Sequence, residues 1–167
     1  MTAPGHVDFY AIVLFVHIVA AIVAFGVTFA YPVIDKVVRT RDPRSLPTFH
    51  EAQIQIGRQI VTPAAIVLLI AGIYMATDKW SDFSSGWWSG AFAIVIVLIG
   101  IEHAVMIPNA RRMRDRAALD VQGSGGALST EYEQLARQRM IFGAVASLLV
   151  VVAVFLMVVK PGVTFGG

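Results

Sequence analysis

There is no cysteine anywhere in the 167 residues. That absence removes disulfide frameworks, thiolate metal sites and cysteine nucleophiles. Charge is scarce as well: 14% of residues are Asp, Glu, Lys or Arg, against 57% hydrophobic. An ordinary soluble domain carries about 25% charged and about 45–50% apolar residues, so the composition argues against one. The apolar excess also excludes a disordered tail. No phosphate-binding loop is present, because Gly123-Ser124-Gly125-Gly126 is not followed by Lys-Ser or Lys-Thr. A His-Glu-x-x-His pair is missing too, and no run alternates in the manner of a β-barrel strand. The pI is near 9.2, yet the net charge is only +2. The basic residues stand beside apolar runs, so a bilayer rather than a nucleic acid is the expected partner.

Four stretches lack any formal charge: residues 9–34, 59–77, 83–101 and 140–159, with lengths of 26, 19, 19 and 20. About 20 apolar residues in a helix cross a hydrocarbon layer of about 30 Å. The reading is therefore an all-α, single-domain bundle of four transmembrane helices, with spans over about 9–34, 54–77, 86–108 and 138–160. The first run is too long for a signal-peptide core, and no Lys or Arg precedes it, so a retained helix is expected.

Loop charge sets the expected orientation. Lys36, Arg39, Arg41, Arg44 and Arg58 lie in the first connection, and Arg111, Arg112, Arg114, Arg116, Arg137 and Arg139 in the third. Only Lys79 and Lys160 stand on the other side. The positive-inside rule then puts both basic connections in the cytoplasm and both termini outside a plasma membrane. Trp80, Trp87 and Trp88 fall at the outer interface. Residues 111–120 should extend the third helix, and Thr130 with Glu133 reads as a capping box that starts the fourth near Glu131. Pro63 should disturb the second helix. Gly86, Gly90, Ala93, Val97, Gly100 and Ala104 form a small-residue stripe, expected to mark close helix contact, and a homo-oligomer is one way to use it.

Polar residues within spans are the functional candidates. His17 stands about 12 Å inside the first span. It reads either as a haem or metal ligand or as a histidine bonded to a neighbouring helix. Glu102 and His103 lie late in the third span, and Arg58 enters the second at similar depth. An Arg58–Glu102 ion pair is expected there, since a lone buried charge is costly. His50 is expected at the interface, His6 in an outer tail, and His103 with Met106 is at most a weak copper pattern.

Several of these segments resemble a known superfamily. Leu14-Phe-Val-His17-Ile with Gly26 and Tyr31-Pro32, then Arg58 with Ile60-Val-Thr-Pro63 and Ala71-Gly72-Ile73, look like HemJ-type protoporphyrinogen oxidases and CopD-like proteins. So do Gly86-Trp87, the late His103 and the ending Val158-Val159-Lys160-Pro161. The chain is most similar to a family described as four-helix predicted integral membrane proteins related to HemJ. That resemblance implies haem b on His17, serving electron transfer or a haem-dependent membrane oxidoreductase, and its arginine position falls on Arg58, whose guanidinium would suit a propionate; His103 is a second candidate ligand, but it lies about 10 Å from the depth of His17, so one histidine ligand is favoured. Where HemJ-type enzymes carry a third-helix lysine, this chain reads Trp87-Trp88-Ser89-Gly90-Ala91. The resemblance thus points to a haem pocket and a membrane redox partner rather than to protoporphyrinogen oxidation. An accessory membrane subunit without cofactor and a small ion or metal transporter component are the alternative readings.

Overall fold

The computed structural model describes residues 8–78, 86–123 and 127–160. Trp80, His6, Pro161 and the glycine-rich break at 124–126 lie outside them. Every element is helical, and the elements make four rods. The first is α1 (Phe9–Arg41). A 3-10 turn (Pro43–Ser45) leads into the second rod, which joins α2 (Leu46–Ile56), a π turn (Gly57–Val61) and α3 (Thr62–Asp78). The third joins α4 (Gly86–Ile101), a π turn (Glu102–Met106) and α5 (Ile107–Gly123), and α6 (Thr130–Val159) is the fourth. All four are long and apolar enough to cross a membrane. At 1.5 Å per residue α1 is about 50 Å long, well beyond an apolar layer of about 30 Å.

In the apolar region α1 packs on α3 and α4 on α6, while α1–α6 and α3–α4 contacts close the ring. Phe9 meets Tyr74 edge-on at 5.6 Å, and the Lys160 ammonium lies 5.6 Å from the Trp87 ring. The start of α1, the end of α3, the start of α4 and the end of α6 therefore share one end, the tryptophan end. At the opposite, basic end α2 packs on α5, and α5 on the first turns of α6. Leu46, Met113, Ala117 and Tyr132 are fully buried there. Within the spans, Ala20, Leu68 and Val95 form one core and Leu98, Ala146 and Val150 another, while many large apolar side chains face outward. Water drives burial only at the projecting end, because an apolar side chain gains little by leaving lipid.

The two π turns have a common cause in sequence. Each ends two residues before a proline, Pro63 in one case and Pro108 in the other. A proline inside a helix removes one backbone bond and pushes its ring against the carbonyl four residues earlier. Widening the preceding turn relieves that clash. Pro32 sits within α1 without one.

Two expectations need correction. Serine 129, not Thr130, caps α6: its hydroxyl accepts from the Tyr132 backbone N–H at 3.3 Å. Asp120 fixes that cap, its Oδ2 accepting from the Ser129 amide at 2.9 Å and hydroxyl at 2.7 Å. Most of the small-residue stripe faces out of the bundle: Gly86, Ala93, Val97, Gly100 and Ala104 are exposed. Of its glycines, Gly90 sits close to a neighbouring rod, beside the Leu156 side chain of α6, while Gly86 and Gly100 face open space. The buried face of α4 is Trp87, Ala91, Val95 and Leu98. Spacing defines a face but not which neighbour it meets, and here the larger residues fill the interior. Ala91→Leu should therefore cost about 1–3 kcal/mol through overpacking, whereas Gly100→Ala should leave the thermal midpoint in detergent unchanged or slightly raised.

Candidate functional site

The sequence-predicted residues do not converge. His17 Nδ1 donates to the Leu68 carbonyl of α3 at 3.1 Å, and its ring edge packs against Gly72. A Cβ built on Gly72 would lie 3.2 Å from His17 Cε1, so the glycine makes the notch that the imidazole fills. The space beside the ring, lined also by Trp88, Phe92 and Met157, is about 20 Å³. One water needs about 10–15 Å³ and a small-molecule site about 300–1,000 Å³. A porphyrin does not fit beside His17 with the helices packed this way.

His103 is engaged elsewhere, its Nδ1 with the Ile99 carbonyl at 3.0 Å and its Nε2 with Thr62 Oγ1 at 3.3 Å. Leu68 and Thr62 are six residues apart, so the two histidines meet the second rod about 9 Å apart along its axis. The expected Arg58–Glu102 pair does not form: Arg58 is exposed and makes no ion pair among the described residues. Its neighbour Gly57 takes the inward position instead. A Cβ there would stand 2.5 Å from Glu102 Oε1, so the carboxylate lies directly on the glycine backbone. Consecutive helical residues point about 100° apart, which turns Arg58 away. Among the described residues, no three His, Asp or Glu side chains gather as a metal site.

The nearest cation to Glu102 in electrostatic terms is Arg139, near the start of the apolar part of α6, although the two make no ion pair within 4.0 Å. It feels the charges of Glu102 and Asp35 and lies near Tyr31 and Tyr132. Its Nη1 donates to the Met106 carbonyl at 3.2 Å, where the second π turn ends. Arg139 thus ties α6 to the turn that carries Glu102. It also lines a cavity of about 840 Å³ between α1 and α6 at the basic end. Thr28, Tyr31, Asp35, Lys36 and Arg39 line it from α1, and Glu133, Arg137, Arg139, Met140 and Gly143 from α6. Met106, Met113, Leu128 and Pro32 supply apolar wall, and Gln53 reaches it from α2. Arg39 bonds Glu133 and lies 3.8 Å from Asp35 Oδ2. Four cations thus stand against two carboxylates. Three of the lining residues carry a buried polar atom with no hydrogen-bond partner: Tyr31 Oη, Asp35 Oδ1 and Gln53 Nε2. Such orphans are uncommon and costly.

Behind Gln53 lies His50, fully buried rather than interfacial as the sequence suggested. Its Nδ1–H donates to Gln53 Oε1 at 3.0 Å, and its Nε2 accepts from the Tyr132 hydroxyl at 2.9 Å. His50 lies outside the apolar span, in the projecting end. Burial pushes its pKa down to about 4, against the opposing pull of the Gln53 acceptor.

A profile described as a predicted integral membrane protein, DUF2269, matches residues 11–161. The chain belongs to that family. The match spans all four rods and establishes a multi-pass integral membrane protein, and the family's description names no activity, cofactor or tie to HemJ-type or CopD-like proteins. No curated protein and no solved structure matches the chain.

Two outcomes test this geometry. Arg139→Gln removes the bond to the Met106 carbonyl and a positive charge near Glu102 and should cost about 1–3 kcal/mol, while Arg58→Gln should cost under about 0.5 kcal/mol; paired thermal melts in detergent compare them. The unfolded chain takes up the His50 proton near pH 6.5 and the folded one only near 4. Stability is thus fully present above about 6.5 and falls as pH drops toward 4, by on the order of 3 kcal/mol. In His50→Phe that segment of the pH–stability curve should flatten.

Proposed function

We propose that this protein binds a membrane-borne amphipathic anion, with its head in the basic cleft between α1 and α6 and its apolar part toward the bilayer. One observation carries the reading: an 840 Å³ cavity with largely apolar walls places Lys36, Arg39, Arg137 and Arg139 against only Asp35 and Glu133. Its volume lies within the range of small-molecule sites. Guanidinium groups match phosphate and carboxylate oxygens in geometry as well as charge. The basic connections support a cytoplasmic setting for this end, and both termini would then lie outside a plasma membrane. An accessory subunit that presents a bound lipid to a partner is consistent with the same cleft.

The haem reading requires α1 and α3 to part at Gly72. A stoichiometric b-type spectrum that disappears in His17→Ala would carry it in place of the present one.

Native mass spectrometry of the full chain in detergent tests the proposal. Dioleoyl anionic lipids should be retained more tightly than phosphatidylcholine. Lys36→Gln with Arg137→Gln should cut that retention about thirtyfold, since each cation near the headgroups contributes about 1 kcal/mol. Arg111→Gln with Arg112→Gln, an equal charge loss on the exposed face of α5, should not. Equal losses in both double variants would mean diffuse attraction to a basic surface and would contradict the cleft.

A further inference from the structure

Glu102 stands fifteen residues beyond Trp87 on the third rod. That is about 22 Å from the tryptophan end, inside an apolar layer of about 30 Å. Its carboxylate occupies the notch at Gly57. A Cβ in that notch would also lie 3.6 Å from Ile107, which belongs to the apolar cluster of Ile54, Ile107 and Ala110. Among the described residues Glu102 makes no hydrogen bond and no ion pair, and it is half-buried rather than sealed. An ionised carboxylate at such depth without a partner is costly, and intramembrane carboxylates of this kind are functional candidates. A proton removes that cost and needs no further ligand.

The charged and titratable groups around Glu102 come from each element packed near it. Arg139 of α6 and His103 on its own turn act on it electrostatically, and it acts on Tyr31 of α1. His103 has both ring nitrogens engaged, with the Ile99 carbonyl and Thr62. On the second rod Arg58 is exposed and turned away. Asp35 lies 3.8 Å from Arg39, its own cation on α1. Arg139 holds the Met106 carbonyl, one turn beyond Glu102, and also lines the cavity between α1 and α6. One guanidinium thus serves both Glu102 and the cleft.

Resting on the cleft reading above, we infer that Glu102 is a proton-binding site, coupled through Arg139 to the anion in the cleft. An ionised Glu102 draws on the Arg139 charge and repels a second anion. A proton on the carboxylate removes both effects, so anion binding tightens as pH falls. Linkage makes the effect mutual: a bound anion favours the protonated carboxyl by the same factor. One proton enters from water as one anionic head enters the cleft, and no other bond changes.

Two measurements on the full chain test the coupling. Native mass spectrometry follows dioleoyl phosphatidylglycerol, whose phosphodiester stays ionised throughout. Wild type should retain it at least about fivefold more tightly at about pH 6 than at about pH 8. Glu102→Gln removes a group that bonds nothing in the protein, so it folds, and it should retain the lipid tightly at both values. His103→Gln should keep the pH response, and Asp35→Asn should bind more tightly throughout and keep it as well. The second measurement needs no variant. Dicyclohexylcarbodiimide, an apolar reagent, takes the proton of a carboxylic acid on one nitrogen and the carboxyl oxygen on its central carbon, then rearranges to an N-acylurea. Peptide mass spectrometry should find that adduct on Glu102, and added phosphatidylglycerol should raise its yield at fixed pH. No adduct on Glu102, or a pH response that survives in Glu102→Gln and vanishes in Asp35→Asn or His103→Gln, overturns the proton site while the cleft stands. Retention of phosphatidylglycerol no tighter than phosphatidylcholine at either pH overturns the cleft itself.

Discussion

A guanidinium held at the boundary of an apolar layer needs opposite charge and acceptors around it, and Arg139 organises the basic end of this protein by that need. It reaches the Met106 carbonyl and lies in the field of Glu102 and Asp35. The bond to the Met106 carbonyl holds α6 against the second π turn, and the cleft lies on the other side, toward α1. The cleft is the space that remains when α6 leans on the third rod and meets α1 only in part.

Proline placement explains why a carboxylate is available at that depth. Each π turn precedes a proline by two residues, and the two turns face each other across the second and third rods. Gly57 opens the first turn and leaves space for the Glu102 carboxylate at the start of the second. Thr62 closes the first turn by donating to the Gly57 carbonyl at 2.8 Å. A side chain at 57 would displace the Glu102 carboxylate from this position, so the glycine is fitted to the close approach and not to a special backbone conformation.

The spans, their number and the projecting third helix were readable from charge-free runs and from length alone, because a bilayer imposes both. The cleft was not. Arg58 and Arg139 have the same local signature, an arginine shortly before a long apolar run, yet one faces outward and the other inward. Gly57, beside Arg58, takes the inward position on one helix, and the Met106 carbonyl of a neighbouring rod receives the guanidinium on the other. Tyr31 and Asp35 were hidden for a similar reason, since a tyrosine and an aspartate at the end of a span ordinarily meet headgroups and water. Their i, i+4 spacing and the Tyr31-Pro32 pair were visible. Their lack of partners was not.

The most direct measurement is an experimental structure of the full chain in a bilayer nanodisc containing anionic lipid. The account predicts an open seam between α1 and α6 at the basic end, with a phosphate in hydrogen-bond reach of Arg139 or Arg137. A closed seam, with Tyr31 and Asp35 bonded to protein atoms and lipid phosphates only on the outer face of α5, would contradict it.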